Sequence, residues 1–119
     1  MSEVEKSEAD KAFARGARPH LIEGGRTVDK ATTLDAIAEA LSFPEYFGKN
    51  LDALYDCLTD LSWLPAGEHV LIWSGSSLLR DRDPKAYLAI RSVLSDAQRA
   101  LGPSGDRRDS RRLTVVLPD

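Results

Sequence analysis

The stretch Phe43-Pro44-Glu45-Tyr46-Phe47-Gly48-Lys49-Asn50-Leu51-Asp52-Ala53-Leu54-Tyr55-Asp56-Cys57-Leu58-Thr59-Asp60 decides how the rest of this 119-residue chain is read. A Pro-containing turn with a Gly leads into a short helix. Asn50 stands where its side chain can cap that helix, accepting a hydrogen bond from a free N–H of the first turn. Leu51, Leu54, Leu58 and Leu61 recur at i, i+3, i+7 and i+10, one apolar stripe. Asp52, Asp56 and Asp60 recur at i, i+4 and i+8 on a different face. Asp is a poor helix former, and like charges at i, i+4 repel by roughly 0.2–0.5 kcal/mol per pair. Asp52 falls in the first turn, where the helix dipole favours an anion; Asp56 and Asp60 have no such compensation. The bland reading is a solvated acidic face. The strain favours the other: carboxylates kept for a positively charged partner.

Upstream, residues 1–16 are charged, with scattered apolar residues of which Phe13 is the candidate for docking; a mobile tail is expected, followed by a single domain over 17–119. His20-Leu21-Ile22 before Glu23-Gly24-Gly25 reads as a short strand ending in a turn, with His20 structural. Thr32 or Thr33 is expected to open a helix, with Asp35 completing a variant capping box after Thr32. Leu34, Ile37, Ala38 and Leu41 form its buried face, and Pro44 stops it. Downstream, Val70-Leu71-Ile72-Trp73 is a continuous apolar run between Gly67 and Gly75, as in a central strand covered on both faces. Asp83-Pro84 starts a helix whose stripe is Tyr87, Ile90, Leu94, Ala97 and Leu101, ended by Gly102-Pro103. An Arg-rich loop through residues 106–112 leads to a last strand, Leu113 to Leu117. Helical crossovers between apolar strands favour parallel pairing. The expected fold is α/β: a small three-stranded parallel sheet packed with about four helices.

Composition sets outer limits. With 42% hydrophobic and 29% charged residues the chain matches an ordinary soluble globular protein. Residues 32–60 carry six acids and one base, whereas residues 80–112 carry nine bases and five acids. A negative face argues against nucleic acid as the partner, because phosphates call for Lys and Arg, and argues for a basic protein. Cys57 is the single cysteine, which excludes an internal disulfide and a cysteine-rich zinc site. No signal peptide is recognised at Met1–Lys6, and no apolar run approaches the roughly 18 residues of a membrane span. A cytoplasmic setting is expected.

An enzyme has no constellation behind it. Carboxylates at i, i+4 lie side by side, whereas a pair working on a glycosidic bond must flank it. Cys57, next to Asp56 in sequence, points to another face and reads as packing. Gly24-Gly25 and Gly102–Gly105 lack the pattern of a phosphate loop, and neither a cofactor nor a metal is called for.

The residues Pro44-Glu45-Tyr46-Phe47-Gly48, Asn50-Leu51-Asp52-Ala53-Leu54 and Asp56-Cys57-Leu58-Thr59 resemble the barstar family of intracellular ribonuclease inhibitors, with pattern-level similarity from about Pro19 to Leu117. The resemblance implies the same α/β fold and a non-enzymatic inhibitor, monomeric when free, that occludes a basic, barnase-type extracellular ribonuclease one-to-one. It implies Asp56 as the central phosphate mimic with Asp52 as helper, Tyr46 against the catalytic histidine region, and Tyr55 and Thr59 at the border. Gly48 would supply a turn conformation that only Gly adopts cheaply. Asp96 falls where the family has another nuclease-facing acid. Three positions depart from the pattern: Tyr55 replaces Trp, Asp60 replaces Gly at the rim, and Ala100 replaces a second acid. They leave open an alternative, the same fold serving as an immunity module against a different basic toxin.

Overall fold

The computed structural model describes residues 3–101 and 111–118. Its elements are α1 (Glu3–Ala14), β1 (Arg18–Ile22), a 3-10 turn at Gly24–Arg26, α2 (Lys30–Ala40), α3 (Leu51–Asp60), β2 (Gly67–Trp73), α4 (Ser77–Arg82), α5 (Pro84–Ala100) and β3 (Arg111–Val116). The strands form one parallel sheet in the order β1-β2-β3, with Leu71 between His20 and Val115 in register. The α/β class and the parallel sheet are those read from the sequence. α4, six residues long, is too short to announce itself by periodicity.

The central strand dictates the layers. Successive side chains of a strand point to opposite faces, so Leu71 and Trp73 look one way, Val70 and Ile72 the other. On the first side Leu71 and Trp73 join Leu34 and Ile37 of α2, Leu54 and Leu58 of α3, and Tyr87, Ile90 and Leu94 of α5 in the main core. On the second side Val70 and Ile72 pack with Ala12 and Ala17, flanked by Ala9, Leu21 and Val116. The cover on that side is α1.

For residues 3–16 that placement corrects the expectation of a mobile tail. The helix docks through Ala9 and Ala12, small side chains that allow close approach and leave no bulky stripe in the sequence. Phe13, the candidate anchor, points outward and is 77% exposed. Gly16 ends the helix in the left-handed region at φ +83. Ala17 N–H donates to Ala12 O at 2.8 Å and Gly16 N–H to Phe13 O at 3.1 Å, the bonding of a glycine C-terminal cap. Arg15 then forks onto Glu68 of β2, Nε and Nη2 donating at 3.0 and 2.8 Å, while the Thr114 hydroxyl of β3 donates to the same carboxylate at 2.6 Å.

Two helix starts are informative. For α2 the cap is Asp29, not Thr32: Thr32 N–H donates to Asp29 Oδ1 at 2.8 Å, and Thr32 Oγ1 accepts from Asp29 N–H at 3.1 Å. The capping box is therefore Asp29 with Thr32, three residues before the expected Thr32–Asp35 pair, because Asp29 already precedes the buried face. For α5, Asp83 caps by accepting from Ala86 N–H at 3.2 Å with Pro84 in the first turn, as expected. The Gly102-Pro103 stop and the Arg-rich loop through residue 110 lie outside the described residues, and Arg111 and Arg112 open β3.

The Arg15 contact gives α1 a pH signature. Its hydrogen bond, backed by Thr114, holds the Glu68 carboxyl at about 2, down from 4.5. A depressed carboxyl stabilises the fold above its unfolded value and loses that contribution as pH falls through the folded one. The difference in urea midpoint between the parent chain and Glu68→Gln is therefore expected to be full at pH 7 and to close between pH 4.5 and about 2. A difference unchanged across that range would show that the contact adds no net stability.

Candidate functional site

The loop from Phe43 to Asn50 and α3 rest on the core through Phe47, Leu54 and Leu58 and turn their other side to solvent. Phe43 meets Phe47 edge-on at 5.0 Å and Trp63 at 5.7 Å, and Trp63 Nε1–H donates to Leu41 O at 2.9 Å. This aromatic prop brings together residues too far apart in sequence to be recognised as a unit. Asn50 caps α3 as expected: Ala53 N–H donates to Asn50 Oδ1 at 2.7 Å. Leu54, Leu58 and Leu61 enter the core. The amphipathic division is complete within ten residues.

The residue in the left-handed conformation is Lys49, at φ +53, rather than Gly48. What Gly48 supplies is room. A Cβ there would sit 3.3 Å from Asn50 Nδ2, tight enough to press on the capping side chain. For a non-glycine residue the left-handed region costs about 1–2 kcal/mol, so the loop before α3 holds strain that the aromatic prop and the Asn50 cap must offset.

On the outer face Asp52, Asp56 and Asp60 are all exposed, and none forms an ion pair among the described residues. Asp60 accepts a hydrogen bond from the Ser62 hydroxyl at 3.2 Å. Tyr46 is 68% exposed and Tyr55 is 38% exposed. Tyr46, Phe47, Ala53, Asp56, Cys57 and Asp60 line a hollow of about 230 Å³. Thus Tyr46, Asp56 and Asp60 converge on one concavity, with an apolar floor that periodicity alone had not singled out. Thr59 is half-buried and its hydroxyl donates back to Tyr55 O at 2.8 Å, which leaves its lone pairs to face outward contacts. Asp96 stands apart on α5, the helix packed on α3, its carboxylate held by Arg99. Ala100 is exposed at the end of α5.

Burial, then the negative charges of Asp56 and Asp60, push the Cys57 thiol above its usual range, so it is held as the weakly nucleophilic thiol. Among the described residues no group of three or more His, Cys, Asp or Glu converges on a metal position. A roomier cavity of about 500 Å³ lies between β1 and α2; of its charged groups Glu23, Arg26 and Glu39, the last two are spent on each other at 2.7 Å. No helix among the described residues is long and apolar enough to cross a membrane.

Comparison with known proteins agrees with this geometry. The family model described as Barstar (barnase inhibitor) matches residues 17–118. Over 46 residues the chain is 46% identical to a Bacillus subtilis (strain 168) protein named "Putative ribonuclease inhibitor YrdF". The match covers 38% of this chain and spans half the length of that relative.

The site separates stability from surface charge. Asn50→Ala removes the α3 cap and is expected to cost about 1 kcal/mol in urea unfolding. Asp56→Ala relieves like-charge repulsion and adds a better helix former, so the folded chain is expected to be unchanged within about 0.5 kcal/mol or more stable. A loss above about 1 kcal/mol in the latter would show that Asp56 serves the fold.

Proposed function

The chain belongs to the barstar family, and from that premise we propose that it inhibits a barnase-type ribonuclease in the cytoplasm, one-to-one, by covering the enzyme's active site. The observation that carries the reading is the row Asp52, Asp56 and Asp60, exposed on α3 with no cation paired to it among the described residues. Carboxylates so placed take the position of RNA phosphate against the enzyme's Arg, Lys and His groups. Asp56, on the hollow, is the central mimic, and Asp52 assists from the first turn. Tyr46 packs beside the catalytic histidine region as an aromatic anchor, the kind of residue that carries much of an interface's energy. Tyr55, Thr59, Gly48 and Asn50 border the contact, and Asp96 reaches the enzyme from α5.

The inhibitor reading also suits the arrangement of these carboxylates: side by side on one helix, they do not flank a bond as an acid–base pair must. Their strength is long-range attraction, which accelerates encounter with a basic protein and weakens as salt screens it. Asp60 favours a second reading. Where the family pattern has Gly, this chain adds a carboxylate at the rim of the hollow, as fits a basic toxin of different outline.

Stopped-flow association with a barnase-type ribonuclease at several salt concentrations tests the reading. The association rate is expected to fall as salt rises. Asp56→Ala is expected to weaken binding by at least about 2 kcal/mol, roughly thirtyfold, the level of a hot-spot residue. Unchanged affinity in that variant would overturn the phosphate mimicry.

A further inference from the structure

The chain has two histidines, His20 on β1 and His69 on β2, and they touch. His20 Nδ1 lies 3.1 Å from Ala40 O, His20 Nε2 lies 3.0 Å from His69 Nδ1, and His69 Nε2 lies 2.8 Å from Pro65 O. A carbonyl oxygen only accepts, so each terminal nitrogen must carry a hydrogen. The central contact between nitrogens needs one more. Four ring nitrogens thus hold three protons, whereas two neutral imidazoles bring two. With two, one contact sets a lone pair against a lone pair; with four, the rings face N–H to N–H at 3.0 Å.

We propose that His20 and His69 share one excess proton, and that the resulting chain of three hydrogen bonds clamps the base of residues 41–64 and opens when a second excess proton arrives in acid. The position supports the role. Ala40 and Pro65 bracket the segment that carries every nominated contact residue except Asp96. Four backbone carbonyls at its two ends are each held by a side chain: Ala40 by His20, Leu41 by Trp63, Leu64 by Arg111 and Pro65 by His69. Of these four donors only the histidines change their hydrogen count between pH 5 and 8.

The surrounding charges do not supply the second proton with a partner. On β1 the charged group is Arg18; on α2, Glu39 and Asp35 are engaged with Arg26 and Lys49. On β2, Glu68 is held by Arg15, just past the end of α1, where Lys11 and Glu8 pair with each other, and β3 brings Arg111 and Arg112. Neither ring forms an ion pair with a carboxylate among the described residues. Burial, then His69, push His20 below its ordinary 6.5, with Arg18 adding to the effect against the Ala40 hydrogen bond. Because the folded chain holds His20 below that value, the unfolded chain takes up this proton first as pH falls below about 6.5. The unfolded state therefore binds more protons in that window, and stability falls as the solution is acidified.

The effect on partner binding rests on the inhibitor reading; the proton count does not, and its test uses no ribonuclease. Nitrogen-15 NMR of the untagged chain, titrated down from pH 8, is expected to pass through a form with three hydrogen-bonded ring N–H groups from two histidines. A direct step from two to four would overturn the shared proton. On lowering the pH, a fourth ring N–H is expected to appear together with loss of amide protection in residues 41–64, ahead of β2. Protection lost there only with β2, or kept while the fourth proton binds, would overturn the clamp.

Discussion

Val70, Leu71, Ile72 and Trp73 are each 1% exposed or less, so over these four residues β2 has no face left for water. Burying one such side chain is worth about 1.5–3 kcal/mol, and that gain requires a layer on each side of the sheet. α2, α3 and α5 supply one layer. The other is α1, whose residues precede the matched family region of 17–118 yet close the apolar face of Val70 and Ile72. The Arg15–Glu68–Thr114 contact fixes α1 across β2 and β3 at once. Stability on that side therefore depends on a helix anchored by small residues and one forked charge pair.

α3 shows how the core positions a surface. Its leucines fix the rotation of the helix, and that rotation presents the aspartates to solvent. The cost falls locally, in Asp–Asp repulsion, in the left-handed Lys49, and in Leu61, which ends the helix at φ +52. The Asn50 cap and the Phe43–Phe47–Trp63 contacts offset part of it. A face held rigid before contact loses less conformational freedom on binding. Strain and unpaired charge at one place are therefore consistent with recognition.

Local signals carried most of the fold. The Leu51–Leu61 stripe, the Asp83-Pro84 start, the Tyr87–Leu101 stripe and the Val70–Trp73 run each obey a period that secondary structure imposes on its own residues. The run even implied a cover on both faces, although nothing at residues 1–16 looked like one, because Ala9 and Ala12 give a docking stripe no bulk. Gly16, a glycine just past a helix end, was the signal available there. At the site, Asn50, Asp52, Asp56 and Cys57 were legible from capping and spacing. The hollow, the Trp63 prop and the His20–His69 chain were not, because they join residues of different elements: Tyr46 with Asp60, Leu41 with Trp63, His20 with His69. Lys49 adopts the conformation expected of Gly48 because the turn is displaced by one residue, which no local preference specifies.

The proposed role of this face is to occupy a ribonuclease active site. Titration calorimetry against a barnase-type ribonuclease, with RNA cleavage followed in the same samples, tests it most directly. The account expects binding at one-to-one stoichiometry, with cleavage falling in step and reaching zero at equivalence. Binding with cleavage intact, or no binding, would contradict it and turn attention to a different basic partner for the Asp52–Asp60 face.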